Sequence, residues 1–449
     1  MANGTHKIST SVIGNDIDVS ALADLTSNTV ERQRVSLGDP ADFAALAAVK
    51  NTSPLETDYA IATRNIYPAS ARAGFGQLSV AQETCVASIN FVYGLINTDV
   101  CTTAVANSAT ATVSNTNHAT LSTGTNAAGS ATLKSNRGAR YTPGQGMVAR
   151  FTALFTAGAS GSRQLIGVGD ASNGLFFGYS GSSFGIVRRF AGVDTFVSAS
   201  NFNVDKLDGT GPSGMTIATA TGNVFEIKFQ WLGYGAVFFS VENANTGRMQ
   251  VVHVLTHANA NTNTTIATPH VSLYAEAINA GNTTSMVLKT PSMGLFLEGT
   301  NSTPGLRRCS IATKSGVTTE VPVLTLRNNS TFNSVANNTR LRFDYLTLSS
   351  TAGNADLVVR AYVNVASLTG ASYTNFNAST SIAAVDTSAT AFTGGTSIHA
   401  LNVGTGGQTS QILRDLDIML NPGNTLTFTA QTTGSAATAR LGVSWNEEF

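Results

Sequence analysis

Two aspartates in a glycine-rich loop are the residues of this sequence best suited to binding a metal ion. Asp205 and Asp208 lie in segment 205–214, DKLDGTGPSG. Carboxylate oxygens and backbone carbonyls in a tight loop are the ligands that Ca²⁺ prefers. The segment lacks a regular aspartate ladder closed by a distal glutamate, and a tightly wound turn without metal explains the same composition. Asp205 and Asp208 are therefore the calcium candidates, and no residue is assigned to another metal or to a cofactor.

Two further pairs of residues have spacings that chemistry could use. His253 and His257 lie four apart in a strand pattern, which puts them on one face but roughly 13 Å apart, too far to share a metal. Asp415 and Asp417 lie two apart on a predicted strand, and paired carboxylates are the catalytic groups of glycosidases. A solvated strand or a structural cation accounts for the same pair. No catalytic residue is predicted.

Tyr179 and Tyr234, each next to glycines, are the candidates for contact with a ligand. Exposed aromatic rings on a β-sandwich can stack on sugars, whereas buried rings fill the core. Residues 178–181, Gly-Tyr-Ser-Gly, do not match the nucleophile elbow of the α/β-hydrolases. No phosphate-binding loop or dinucleotide-binding fingerprint occurs either. The sequence therefore predicts a protein that is not an enzyme.

The elements that would position these residues are antiparallel β-strands. Residues 223–231 alternate in hydropathy, and their apolar face holds Phe225, Ile227, Phe229 and Trp231. The opposite face carries Glu226 and Lys228, which is typical of a strand buried on one side only. Similar runs are separated by turn residues, with no helical interruption. The pattern predicts a concanavalin-like β-sandwich or jelly roll over residues 76–302.

A second set of strands predicts a C-terminal β-sandwich over residues 303–449, after Pro304-Gly305. Its clearest apolar faces hold Leu357, Val359, Ala361, Val363 and Val365; Leu426, Phe428 and Ala430; and Leu441, Val443 and Trp445. The strand at 425–430 alternates its apolar residues with threonines that are expected to face outward: Thr425, Thr427 and Thr429. Asn421-Pro422-Gly423 predicts a turn before this strand.

Residues 1–75 differ from the rest, because their apolar clusters are short and interrupted by Asp and Asn. Asp39-Pro40 favours a helix start, and the helix of about ten residues that follows is too short to be stable alone. The segment is predicted to be an extended N-terminal arm that docks on a partner, with a poorly ordered leader as the alternative. The residues predicted to anchor the arm are Val12, Ile13, Arg32, Arg34, Val35, Leu37, Phe43 and Leu46. The predicted fold class is all-β: two β-sandwich or jelly-roll domains preceded by this arm.

The composition excludes several classes of protein. The chain has 449 residues with 26 basic and 26 acidic side chains, and zero net charge argues against a nucleic-acid-binding protein. No window is apolar enough for a transmembrane helix, and the start of the chain lacks the apolar core of a signal peptide. Three cysteines fit a reducing cytosol. Cys85 and Cys101 are predicted to be buried free thiols, with a disulfide between them as the alternative.

Several stretches resemble virion proteins of tailed bacteriophages. Residues 31–40, ERQRVSLGDP, are similar to the N-terminal arm of tail-associated and appendage proteins. Residues 163–170, RQLIGVGD, and 231–235, WLGYG, resemble concanavalin-like (laminin-G-like) jelly rolls. Residues 416–426, LDIMLNPGNTL, and 445–449, WNEEF, resemble the closing strands of phage tail and baseplate β-sandwiches. The resemblance implies a role in assembly that is compatible with glycan contact. The usual metal-ligand set of lectins is not recognisable, so the resemblance assigns no residue to carbohydrate.

Sequence and resemblance together predict a structural virion protein of a tailed phage, in the tail, baseplate or a fibre. The arm would attach to other virion proteins, and two β-sandwiches would project outward and contact host surface glycans. Assembly in the host bacterial cytoplasm as a homo-oligomer is expected, without nucleic acid or membrane insertion. A capsid-decorating or head-fibre protein is the alternative. Further alternatives are a glycan-binding adhesin and a polysaccharide depolymerase.

Overall fold

The structure is a computed structural model of the chain. It describes residues 82–114, 116–299, 305–337, 339–351 and 356–447, together with the backbone of residues 18–23 and 29–34. The last two segments are strands β1 (Asp18–Ala23) and β2 (Thr29–Arg34), which pair as an antiparallel hairpin. All other strands belong to one compact unit of the chain, residues 68–449.

The hairpin of β1 and β2 was not predicted from the sequence pattern. Arg32 and Arg34, two of the proposed anchor residues, lie on β2. The predicted helix after Asp39 and the other anchors lie outside the described residues: Val12, Ile13, Val35, Leu37, Phe43 and Leu46. The docking role of this segment therefore stays a prediction.

The first β-sandwich is built from two antiparallel sheets. Its strands are β3 (Glu83–Asn90), β4 (Cys101–Ala106), β5 (Thr110–Val113), β6 (Ala119–Ser122), β7 (Ser130–Ala139), β8 (Met147–Phe155), β9 (Ser162–Gly169), β10 (Gly174–Ser180), β11 (Ser183–Phe190), β12 (Val193–Ser198), β13 (Asn223–Phe229), β14 (Val237–Asn243), β15 (Arg248–Leu255), β16 (Val271–Asn279), β17 (Val287–Thr290) and β18 (Ser292–Glu298). The seven-stranded sheet has the order β12-β11-β10-β9-β16-β7-β4. The nine-stranded sheet has the order β15-β14-β13-β8-β17-β6-β5, and β18 pairs with both β8 and β3. Neighbours that are distant in sequence, such as β9 and β16, show that the chain crosses between sheets, as in jelly rolls.

The core between these sheets confirms the inward face of β13 and corrects its outward face. Phe225 and Ile227 are fully buried, as expected. Glu226 and Lys228 are buried too, so the expectation of an exposed second face is wrong. Arg150 donates from Nε to Glu226 at 2.7 Å, and Lys228 lies 3.8 Å from a carboxylate oxygen of β18. Ion pairing allows charged side chains to lie on a buried face, which hydropathy alone does not reveal.

The second β-sandwich also pairs two antiparallel sheets. Its strands are β19 (Leu306–Val317), β20 (Val321–Asn328), β21 (Thr331–Phe332), β22 (Val335–Ala336), β23 (Leu341–Thr351), β24 (Leu357–Val363), β25 (Ser367–Thr369), β26 (Thr374–Asn375), β27 (Ala383–Asp386), β28 (Ala391–Thr393), β29 (Thr396–Val403), β30 (Gln408–Ile412), β31 (Met419–Leu420), β32 (Thr425–Thr432) and β33 (Ala437–Glu447). One sheet has the order β19-β33-β23-β30, with β31 on β23, and the other has the order β26-β27-β20-β32-β24-β29. Two small two-stranded sheets, β21-β22 and β25-β28, complete the described strands.

The second core encloses Trp445 on β33. Its ring is fully buried, and its Nε1 donates to the Glu447 carboxylate at 3.1 Å. The residues expected to face inward on β32 and β33 are all buried. Thr427 and Thr429 were expected to face solvent, and this is wrong because both are fully buried. The Thr325 hydroxyl donates to Thr427 at 3.1 Å, so the buried threonine of this central strand is satisfied by its neighbour.

The predicted all-β class with two β-sandwiches is confirmed. Within the described residues, helical structure is limited to two 3₁₀ turns, Ala199–Asn201 and Arg414–Leu416. No helix in that part of the chain is long and apolar enough to span a membrane. All three cysteines are free, and Cys101 is buried as expected. Cys85 is exposed, contrary to expectation, because β3 is an edge strand that pairs with β18 only.

Candidate functional site: a polar cleft between the sandwiches

A cleft of about 400 Å³ lies where the two sandwiches meet. The first sandwich contributes β4, β7 and the start of β16. The second contributes residues before β23, after β24, and in the turn between β31 and β32. Among the described residues that line the cleft, only Gly138, Ala139, Val271 and Pro422 lack a side chain that can form hydrogen bonds. The cleft is therefore a polar site to which both sandwiches contribute.

A bulge in β7 shapes the first wall of the cleft. The register passes from Lys134 opposite Tyr274 to Gly138 opposite Ser272, which leaves three residues of β7 against one of β16. The Ser135 hydroxyl accepts a hydrogen bond from the backbone N–H of that single residue at 3.0 Å. Bulges of this kind change the direction of side chains and are common beside functional sites.

Gly138 lets β7 and β16 approach closely at this wall. A Cβ atom at Gly138 would lie 2.7 Å from the carbonyl oxygen of Val271 and 2.9 Å from the Ser272 hydroxyl. Inside the bulge, the Asn136 amide donates to the Thr98 carbonyl at 2.7 Å, which fixes the loop before β4. Close backbone contacts and hydrogen bonds to backbone carbonyls thus help to hold this wall.

The turn predicted at Asn421-Pro422-Gly423 forms part of the opposite wall. Gly423 has a φ of 87°, in the left-handed region that favours glycine, and its N–H donates to the Asn328 carbonyl at 2.8 Å. The Asn424 N–H donates to the Asn421 carbonyl at 3.1 Å. These bonds fix the backbone of the turn and place the side chains of Asn421 and Asn424 at the cleft.

Lys134, Arg140 and Arg340 give the cleft a positive charge. None of the described residues that line it is acidic. Arg340 is buried, whereas Lys134 and Arg140 are half-buried. Burial, together with the positive charges of Arg140 and Arg340, lowers the pKa of His270 to about 4. His270 is therefore neutral at pH 7 and adds no charge to the cleft.

An ion pair beside the cleft joins the two sandwiches. Arg137 donates from Nη1 to Asp417 at 3.1 Å, and Arg342 lies 3.8 Å from the same carboxylate. The side chains of Arg137 and Asp417 are 50% and 45% exposed, so this pair contributes about 1 kcal/mol or less. Asp415 and Asp417 do not share a strand face as expected, because Arg414–Leu416 is a 3₁₀ turn and Asp417 has a φ of 51°.

The side chains that line the cleft are suited to hydrogen bonding. Asparagine amides and Ser or Thr hydroxyls both donate and accept hydrogen bonds, whereas Lys and Arg only donate. No group of three His, Cys, Asp or Glu side chains in the described residues is placed to hold a metal. His253 and His257 are not on one strand, because β15 ends at Leu255. The cleft therefore suits an oxygen-rich ligand.

The calcium candidates Asp205 and Asp208 hold a turn together. Asp205 accepts hydrogen bonds from the backbone N–H groups of Leu207 and Ser213, at 2.9 and 2.8 Å. Asp208 accepts bonds from the N–H and the hydroxyl of Thr210, at 2.9 and 2.6 Å. The bonds from Thr210 lower the pKa of Asp208. Calcium binding stays a prediction, and both carboxylates have a structural role without it.

Tyr179 and Tyr234 lie in different environments, and neither lines the cleft. Tyr179 packs 6.0 Å from the Phe155 ring at the core, and its hydroxyl bonds to that of Thr219 at 2.8 Å. Tyr234 is 38% exposed and stacks on His257 at 5.8 Å. Of these two ligand candidates, Tyr234 is the one whose ring is accessible for stacking.

A second, open groove of about 740 Å³ lies on the five-stranded sheet of the second sandwich. Tyr345 is 41% exposed there, and its hydroxyl donates to Ser410 at 2.9 Å. Ile311 is 77% exposed at the same groove. Neither this groove nor the cleft is predicted by the sequence pattern, whereas the Asn421 turn, which forms part of one wall of the cleft, is.

No family model and no curated protein matches the chain. Among solved structures, a mutant of the Emp46p carbohydrate recognition domain has 10% identity and covers 49% of this chain and 99% of that chain, with a TM-score of 0.33. A glycosyl hydrolase family protein from Mycobacterium fortuitum has 12% identity to this chain. The match covers 47% of this chain and 99% of that protein, with a TM-score of 0.32. Peanut lectin has 12% identity to this chain. The match covers 48% of this chain and 98% of the lectin, with a TM-score of 0.30.

Proposed function

We propose that this protein is a non-catalytic glycan-binding protein and that the glycan lies in the cleft between its two sandwiches. The composition of the cleft supports this proposal, because all but four of its described lining residues have side chains that form hydrogen bonds. Its volume of about 400 Å³ falls within the range of small-molecule sites.

Glycans suit this lining because each sugar hydroxyl donates and accepts hydrogen bonds, as amides and hydroxyls do. Asn421 and Asn424 offer amides on one wall, and Thr102 and Ser272 offer hydroxyls on the other. An apolar ligand would remove water from these groups without replacing its hydrogen bonds, which is unfavourable. A hydroxyl-rich ligand replaces them.

A glycan array probed with the full-length protein tests the proposal. The wild type should be retained on a subset of saccharides, and the double variant Asn421→Ala/Asn424→Ala should lose most of that retention. Asn245→Ala is the matched control, since Asn245 lies in an exposed turn outside the cleft. Failure of the wild type to bind any saccharide, or undiminished retention of the double variant, would contradict the proposal.

We further propose, from the sequence, that the protein is a structural component of a tailed-phage particle and that its glycans are on the host surface. Support comes from the interrupted apolar clusters of residues 1–75 and from the resemblance of residues 31–40 to phage appendage arms. A chain without residues 1–70 should keep its two folded sandwiches but stay out of particles. Incorporation of this truncated chain at the wild-type level would refute the anchoring role.

A further inference from the structure

We infer that the ligand of the cleft is an acidic saccharide, whose anionic group lies against Lys134, Arg140 and Arg340. The neutral hydroxyls of the same ligand lie against the Asn421 and Asn424 amides. This inference rests on the proposed glycan-binding function and adds the charge of the ligand, which that proposal leaves open. The ligand is therefore a polyol that carries a carboxylate, a sulfate or a phosphate group.

The three cations come from separate parts of the chain and meet in a single cleft. Lys134 lies on β7, Arg140 directly follows β7, and Arg340 directly precedes β23 of the second sandwich. Lys134 has no ion-pair partner within the described residues, and no acidic side chain among them lines the cleft. An anion bound in the cleft would pair with the Lys134 ammonium and would also be attracted by the two guanidinium groups.

His270 reports the sign of the electrostatic potential inside the cleft. The charges that shift its pKa are those of Arg140 and Arg340, and both act to lower it. The carboxylate beside the cleft, Asp417, already faces Arg137 and Arg342. The two guanidinium groups therefore both contribute a positive potential at His270, and such a contribution favours an anion there.

The lining also lacks the means to hold a neutral sugar tightly. No described residue of the cleft is a Phe, Tyr or Trp, so no aromatic ring is available there for stacking. Neutral hydrogen bonds alone largely replace those made with water, whereas bonds between ionised groups are roughly twice as strong. Most of the affinity should therefore come from the charged group of the ligand.

Calorimetric titration of the full-length protein tests the inference. The probes are hexagalacturonate, its neutral methyl ester, a chondroitin sulfate hexasaccharide, mannose 6-phosphate and hexaglutamate. At least one acidic saccharide should bind about tenfold or more tightly than the neutral ester, and added salt should weaken it. Hexagalacturonate carries only carboxylates and mannose 6-phosphate only a phosphate. Chondroitin sulfate carries carboxylates and sulfates, so its binding indicates sulfate as the anionic group only where hexagalacturonate does not bind.

Variants of Lys134 supply the residue-level test. Lys134→Gln should weaken binding of the acidic saccharide about tenfold, whereas Lys134→Arg, which keeps the charge, should largely preserve it. Lys289→Gln is the matched control, because Lys289 is an exposed lysine on β17 away from the cleft. A histidine NMR titration should show that the bound acidic saccharide raises the pKa of His270 from its value of about 4.

Each remaining outcome overturns the inference in a distinguishable way. Equal binding of hexagalacturonate and its neutral ester, with no effect of Lys134→Gln, would remove the anion requirement but leave glycan binding intact. Binding of hexaglutamate alone would mean that the cleft takes an acidic peptide. Binding of none of the probes would refute the acidic-saccharide inference, and the glycan array would then decide the proposed function separately.

Discussion

Acidification should destabilise the folded protein through His270. The ordinary pKa of 6.5 applies to this histidine in the unfolded chain, and the fold lowers it to about 4. As the pH falls, the unfolded state therefore binds a proton first, so stability that is present above pH 6.5 is lost between pH 6.5 and 4. A shift from 6.5 to 4 corresponds to about 3 kcal/mol at 1.36 kcal/mol per pH unit.

Urea unfolding of the wild type and of His270→Gln at pH 7 and pH 4 measures this loss. Glutamine keeps a polar side chain at the site but does not titrate in this range. Other groups titrate equally in both proteins, so the difference between them isolates His270. The wild type should lose about 3 kcal/mol more than the variant. An equal loss in both proteins would refute the argument that Arg140, Arg340 and burial keep this histidine neutral.

Three substitutions test how the fold is held. Gly138→Ala should destabilise the first sandwich by about 1–3 kcal/mol, because its Cβ would crowd the Val271 carbonyl, and this should appear in thermal unfolding. Gly222→Ala is the control and should melt like the wild type, because a Cβ atom added at Gly222 would have no atom within 4 Å apart from those of its chain neighbours. Trp445→Ala should cost about 3–5 kcal/mol in urea unfolding, because a fully buried ring is lost. Asp205→Ala should cost about 1–3 kcal/mol, equally in calcium and in chelator, because its carboxylate accepts two backbone N–H bonds.

Equal melting of the Gly138 and Gly222 variants would mean that β7 can move away from β16 without loss. A small effect at Trp445 would mean that the second core closes around the missing ring. A loss at Asp205 that appears only with calcium would establish the metal site that the sequence suggested and would replace its purely structural role.

Hydropathy alternation identified the strands because each sandwich encloses a large apolar core. The buried face of β13, with Phe225 and Ile227, could be predicted in this way. The opposite face could not, because Glu226 and Lys228 are compensated by ion pairs to other strands that their own segment does not reveal. The same limit applies to Thr427, whose hydrogen-bond partner lies on β20.

The cleft could not be predicted from local patterns, because its walls are distant in sequence. Arg137 and Asp417, the ion pair beside it, are 280 residues apart. Lys134 belongs to an ordinary strand pattern, and the bulge that follows it depends on pairing with β16. The turn containing Asn421 was recognisable from its Pro-Gly sequence, but its position opposite β7 depends on how the two sandwiches pack.

Hydrogen–deuterium exchange of the full-length protein, with and without a saccharide retained on the array, tests most directly whether the cleft is the binding site. The saccharide should slow amide exchange in residues 134–140 and 421–424, which contribute to the two walls. Protection confined to the Tyr345 groove or to the loop of Tyr234 would place the ligand elsewhere and contradict the assignment of the cleft.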